Sequence, residues 1–306
     1  MLPTTVNQVR GEEQIRSFND LTQHLRKQSN YPIAHGGFGD IWKCSLVLST
    51  RSTEENVAVK AIRSYFFDEN DRIKKDKRLR RELIIWRKLI HANILPLYGV
   101  AIGFGPFTAM VSPWAKNGSL TSYLESHRDL LIPDRFKLLS DIASGLCYLH
   151  SNQVVHGDLS GSNILVMENG TACLSDFGLS GVVSEFFGSS TFSSTISGNI
   201  RWGAPELFAL PENQDGSTNR PTKEADIYSF GSIMLQVLSG KVPYYYIKQQ
   251  MQIIMMVVDG KKPRRPEEPK IAEEHWSMIE RCWSPCNVRP TIEDLLRFVT
   301  AQLKYS

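Results

Sequence analysis

The hydrophobic spacing of this chain changes its period once, and that change constrains the fold more than any other feature. Between residues 31 and 64, YPIAHGGFGDIWKCSLVLS and NVAVKAI gather β-branched and aromatic residues around a glycine turn, a pattern that reads as strands. After about residue 118 the period becomes helical. In PDRFKLLSDIASGLCYLHSNQ, Phe136, Leu139, Ile142, Leu146 and Leu149 fall on one face. One helix interrupts the strands: DRIKKDKRLRRELIIWRKLI puts Ile73, Leu79, Leu83, Trp86 and Ile90 on an apolar stripe and basic residues elsewhere. MVSPWAKNGSL, a strand running into a proline and an Asn-Gly turn, lies near the change of period and suits a hinge. The pattern predicts two units, one small and β-rich, the other larger and mostly helical. A chain of 306 residues is long enough to build both.

Before the first glycine cluster, Ile15, Phe18, Leu21 and Leu25 recur at helical spacing, which predicts an amphipathic helix from about Asn7 to Gln28. Such a helix suits packing on the following domain, or a linker to a flanking domain or regulatory partner. Residues 180–198, rich in Ser, Thr and Gly, and residues 211–221 read as surface loops. Met251, Met255 and Met256 in IKQQMQIIMMVVDG are expected to pack into the core, although methionine-rich faces also serve as adaptable docking surfaces.

A net charge of +3 is too near balance to call for nucleic acid, and no apolar stretch approaches the length of a membrane span. The start, MLPTTVNQVRGEEQ, lacks a signal-peptide core, so a cytoplasmic or nuclear location is the expectation. Five cysteines, Cys44, Cys147, Cys173, Cys282 and Cys286, have no C-x-x-C spacing and read as reduced thiols.

Several clusters carry chemistry. Gly36, Gly37 and Gly39 lie in a turn between strands, where backbone N–H groups can approach phosphate oxygens, though such hairpins also serve structure alone. Lys60 in VAVK supplies a cation on the next strand. HGDLSGSN carries His156, Asp158 and Asn163, and the following DFG carries Asp176. Oxygen donors of this kind suit magnesium, which takes one or two protein ligands together with substrate phosphates.

Taken in order, AHGGFGDI, VAVK, RELIIWRKL, HGDLSGSN, DFG, GAPE, ADIYSFG and CWSPCNVRP resemble the motifs of the eukaryotic protein kinase family, in its tyrosine-kinase-like branch of Ser/Thr kinases. The resemblance implies an α+β, bilobal protein kinase-like fold. The domain would cover residues 31–304, with an N-lobe at 31–112, a hinge at 113–117 and a C-lobe at 118–304, after a helical extension at 1–30. It also implies ATP and magnesium (Mg2+) as cofactors and a protein substrate. By the same resemblance Lys60 holds the α and β phosphates and pairs with Glu82, Asp158 takes the substrate hydroxyl's proton, and Asn163 and Asp176 hold the metal. Adenine would meet the C=O of Pro113 and the N–H of Ala115, with Ser112 at the deep end of its pocket and Ile41, Ala58 and Leu165 around the ring. Trp86, Leu97, His156 and Phe177 match the family's packed column, Glu206 and Arg289 an ion pair, and Asp226 the anchor of the catalytic loop.

Three positions depart from the family pattern. Ala34 replaces the first loop glycine, Gly157 the arginine before the catalytic aspartate, and Ser160 the lysine two residues after it. Gly157 removes the cation that receives a loop phosphate, so activity is expected to survive replacement of Ser and Thr between 180 and 197. Ser160 lacks the charge that contacts the transferring phosphate, which predicts slow catalysis or, alternatively, a nucleotide-binding pseudokinase scaffold. Asn199 stands where Ser/Thr kinases carry threonine, which keeps a tyrosine-kinase activity as a second enzymatic reading. A small-molecule kinase is disfavoured by GAPE, ADIYSFG and CWSPCNVRP.

Overall fold

The computed structural model describes residues 18–35, 39–47, 54–63, 68–178, 199–208 and 220–305. The loops expected at 180–198 and over most of 211–221 lie outside them, as do residues 7–17 of the expected N-terminal helix. The chain forms two compact units whose boundary falls between Trp114 and Ala115, with His91–Leu95 belonging to the second.

The first unit is an antiparallel sheet of β1 (Leu25–Lys27), β2 (Ala34–His35), β3 (Gly39–Leu46), β4 (Glu55–Ile62), β5 (Gly99–Ala101) and β6 (Ala109–Pro113). Its order is β1-β3-β4-β6-β5, with β2 also paired to β3. Alternation along β4 sends Val57, Val59 and Ala61 into an apolar cluster with Cys44, Leu46, Ala101, Ala109 and Val111. Against this sheet lies α1 (Glu69–Lys88), capped by Asp68, whose carboxylate accepts from the Asp71 N–H at 2.8 Å. Asp76 and Arg80 of α1 bind Thr108 just before β6, through its N–H and its hydroxyl, each at 2.8 Å. Leu79, Leu83 and Trp86 of the expected stripe are buried. Ile73 and Ile90 are not, being 52% and 83% exposed. The helix stops at Lys88 with Leu89 extended, which puts Ile90 out of phase, and Ile73 lies in its opening turns.

The N-terminal reading is corrected. Residues Phe18–Gln28 are not helical beyond one 3-10 turn at Thr22–His24, and Leu25–Lys27 is the strand β1. Asn19 and Leu21 instead bond to Val100, with Leu21 N–H to Val100 O at 2.8 Å and Val100 N–H to Asn19 O at 2.9 Å, which adds this segment to the sheet beside β5. Phe18 and Leu21 are buried and Leu25 packs on the sheet core, so apolar residues at helical spacing serve three separate anchor points. The sheet therefore begins before residue 31.

The second unit contains α2 (Leu120–Ser126), α3 (Ile132–Ser151), the hairpin β7 (Ile164–Val166) with β8 (Ala172–Leu174), α4 (Lys223–Ser239), α5 (Gln250–Val258), α6 (Glu273–Cys282) and α7 (Ile292–Tyr305). The five apolar residues expected on one face of α3 have no exposed surface at all. Helix α4 is the axis of the unit, buried from Ala225 to Ser239 and packed by α3 and α6. It starts on the Thr222 side chain and ends at Gly240 in a left-handed cap. The packing expected of Met251 and Met255 is corrected. They are 68% and 62% exposed, because α5 buries its other face, Ile253 and Val257, against Ile200, Tyr244 and Ile247.

Candidate active site

In the first unit the site residues are placed by register. Residues directly opposite in an antiparallel pair share a face, and β3, β4 and β6 pair Ile41 with Lys60, Ala58 with Ser112, and Lys60 with Met110. Ile41, Ala58, Lys60 and Ser112 therefore line one face of the sheet, opposite its apolar core. Ser112 is nearly buried, and Pro113 ends β6. Glu82 lies in α1 on the turn of Leu79 and Leu83, with Arg78 3.6 Å from its carboxylate. Gly39 opens β3, where a Cβ would stand 2.3 Å from the carbonyl oxygen of Ala61, so strand packing itself demands glycine there. Gly36 and Gly37 lie outside the described residues.

In the second unit the site is built on a loop held from within. Asp226, on the first turn of α4 and 1% exposed, accepts the N–H of His156 at 2.8 Å, the N–H of Gly157 at 2.9 Å and Nε2–H of His150 at 2.9 Å. A buried carboxylate with three donors is compensated, and it fixes the backbone just before Asp158. Burial pushes the His156 imidazole pKa below its ordinary value, against the opposing pull of Asp226 and Asp176. The His156 ring meets Phe177 edge-on at 6.3 Å.

Asp158 is gripped by two amides. Asn163 Nδ2 donates to its Oδ2 at 2.8 Å and to its carbonyl oxygen at 2.8 Å, and Asn199 Nδ2 donates to Oδ1 at 3.0 Å and Oδ2 at 2.9 Å. The partnership with Asn199 was not legible in the sequence, because the two residues lie 41 positions apart and only the departure from threonine marked it. The Asn163 amide oxygen accepts from no described residue, which leaves it available to a metal. Asp176 follows Ser175, whose N–H and hydroxyl both bond to the Asn163 carbonyl at 2.9 Å. It adopts φ +59°, a left-handed conformation uncommon for aspartate. One amide oxygen and one carboxylate, with no larger metal-binding cluster among the described residues, fit the sparse protein share of a magnesium site. Leu165 lies centrally in β7 beside Ser119, and Ala115 offers an N–H that donates to no described residue. Arg289 forms a two-pronged pair with Glu206 at 2.5 and 3.0 Å, as the sequence led us to expect.

An α+β organisation with these motifs on these elements defines a protein kinase-like fold. The family model for protein tyrosine and serine/threonine kinases matches residues 28–299. Serine/threonine-protein kinase STY46 of Arabidopsis thaliana is 29% identical over 279 residues, 90% of this chain and 43% of that protein. Tyrosine-protein kinase TXK of Homo sapiens is 30% identical over 80% of this chain and 43% of its own length. Ephrin type-B receptor 4b of Danio rerio is 32% identical over 82% of this chain and 24% of its length. The chain belongs to the protein tyrosine and serine/threonine kinase family. It spans less than half the length of these relatives. Among the described residues no helix is long and apolar enough to cross a membrane.

Proposed function

We propose that this chain is an ATP-dependent protein kinase that transfers the γ-phosphate to serine or threonine hydroxyls of a protein substrate. The observation that carries the reading is Asp158, held by Asn163 and Asn199 on a loop that buried Asp226 fixes. A carboxylate so fixed can orient a hydroxyl and take up its proton, and that positioning is most of what the protein contributes to phosphoryl transfer. Lys60 neutralises phosphate charge and pairs with Glu82. The roles that go with this reading are apolar contact with adenine for Ile41, Ala58, Ser112 and Leu165, hydrogen bonds to its edge for Pro113 C=O and Ala115 N–H, and phosphate binding for Gly36, Gly37 and Gly39. Asn163 and Asp176 hold magnesium, which when bound neutralises the charge of the phosphates. A cytoplasmic location belongs to the same proposal.

The named relatives include both Ser/Thr and Tyr kinases, and the Ser/Thr reading follows the fuller coverage by STY46. Transfer of labelled phosphate from ATP to casein, followed by phosphoamino-acid analysis, tests it. Phosphoserine and phosphothreonine are expected, absent in Asp158→Asn. Phosphotyrosine alone would transfer the chain to the tyrosine-specific reading. Equal signal from wild type and Asp158→Asn would leave a nucleotide-binding scaffold.

A further inference from the structure

The catalytic loop carries a buried hydroxyl where a cation is expected, and the hydroxyl is wired. Ser160 has no exposed surface, and its Oγ lies 2.9 Å from Ser162 Oγ. Ser162 Oγ lies 2.9 Å from Asn199 Oδ1, an atom that only accepts, so the single hydroxyl hydrogen of Ser162 is committed to Asn199. Ser160 must then be the donor to Ser162. The chain of donors runs one way: Ser160 O–H to Ser162, Ser162 O–H to the Asn199 carbonyl, and the Asn199 NH2 to both oxygens of Asp158. Each link polarises the next toward the carboxylate. The Asp158 carboxylate, which only accepts, settles the amide's orientation: turned over, Asn199 would set its own oxygen against it.

We infer that Asn199, locked through Ser162 by Ser160, is the positioning residue of Asp158, a neutral relay in place of the lysine this loop lacks. The inference rests on Asp158 having the role proposed above. It accounts for Ser160 and Asn199 together: a lysine at 160 would replace the hydroxyl that lies 2.9 Å from Ser162 Oγ with a longer side chain at a position that has no exposed surface.

The test measures kcat and KM for ATP with magnesium and casein, alongside the assigned side-chain NH2 resonances of Asn199 in the labelled chain. Asn199→Ala is expected to lower kcat about 10- to 100-fold with KM for ATP within about twofold, the loss of one charge-assisted bond felt in the transition state. Asn199→Asp, which faces one carboxylate with another, falls lower still, and Asn199→Thr, which keeps a donor, recovers most of the rate. Adding Ser162→Ala to Asn199→Ala costs nothing further, because both cut the same relay. Ser160→Lys lowers kcat. The Asn199 NH2 is expected to exchange slowly with solvent in the wild type and to shift and exchange faster in Ser162→Ala and in Asp158→Asn. The relay is overturned if Asn199→Ala keeps more than half of kcat while Asp158→Asn is inactive, if Ser160→Lys raises kcat, or if the NH2 of the wild type exchanges freely. Activity of Asp158→Asn equal to wild type, or no activity in the wild type itself, overturns the role of Asp158 instead, and the amide resonances then decide the relay on their own.

Discussion

The two units hold their site residues by different means. In the sheet, Ile41, Ala58, Lys60 and Ser112 share a face because strand register leaves them no other, and replacing one leaves the register of its neighbours intact. In the helical unit, Asp158 is held by the nearby Asn163 and the distant Asn199 on its carboxylate, and the backbone before it by the distant Asp226. A register tolerates substitution one residue at a time, whereas a buried polar network fails as a whole when one member is lost. Of the three departures from the family, Ala34 lies on the strand β2, and Gly157 and Ser160 lie in this network, where Ser160, Ser162 and Asn199 are bonded as a set.

The largest effect should come from its centre. Asp226→Ala leaves the N–H groups of His156 and Gly157 and the His150 ring without their acceptor inside the unit, and it is expected to cost about 3–5 kcal/mol in urea unfolding, with activity lost. On the sheet face, Lys60→Met is expected to abolish phosphate transfer while stability changes by less than about 1 kcal/mol. Similar stability losses for the two variants would erase the distinction between the units.

That distinction also explains what the sequence disclosed. Period-2 and period-3.6 patterns are local, so β3, β4, α1 and α3 were readable, and with them the face that carries Lys60. The motif order supplied Asp158, Asn163 and Asp176. The Ser162 to Asn199 bond spans 37 positions, and no local pattern encodes it. The N-terminal segment failed for a related reason: the partner that makes Asn19–Leu21 extended is Val100, far along the chain, and it overrides helical spacing.

The sheet has its own point of intolerance, where backbones rather than side chains meet. A Cβ on Gly99 would lie 2.2 Å from the carbonyl oxygen of Asn19. Gly99→Ala is expected to cost about 2 kcal/mol by pushing the N-terminal segment off β5. Hydrogen exchange should then rise at Leu21 and Val100 and stay unchanged at His156. Unchanged protection at Leu21 would mean that the segment contributes nothing to the sheet.

A smaller effect separates the units by pH. Burial keeps the His156 pKa below its ordinary value in the folded chain, so near and below pH 6.5 the unfolded chain binds a proton that the folded chain does not. Stability is therefore complete above that range and falls with decreasing pH, by at most about 1.4 kcal/mol per unit from this group. His91, also lowered by burial, adds a slope of the same sign. His156→Leu should flatten the decline between pH 7.5 and 5.5 measured by urea unfolding, and an unaltered slope would assign the whole effect to other groups.

The smallest expected effect is the most diagnostic. Asp176 sits at φ +59°, where an L-residue is strained and glycine is not. Glycine recovers that strain but loses more chain entropy on folding, so Asp176→Gly is expected to leave stability unchanged or raise it by about 0.5 kcal/mol. Magnesium-dependent ATP binding and phosphate transfer should nevertheless be lost, because the carboxylate goes. A fold that is no worse without the Asp176 carboxylate would mean that the conformation is imposed by its surroundings, with Ser175 tied to Asn163 on one side and Gly178 N–H bonded to His156 O at 3.1 Å on the other. A loss of more than about 1 kcal/mol would instead place Asp176 among the members that hold the network together, as Asp226 does.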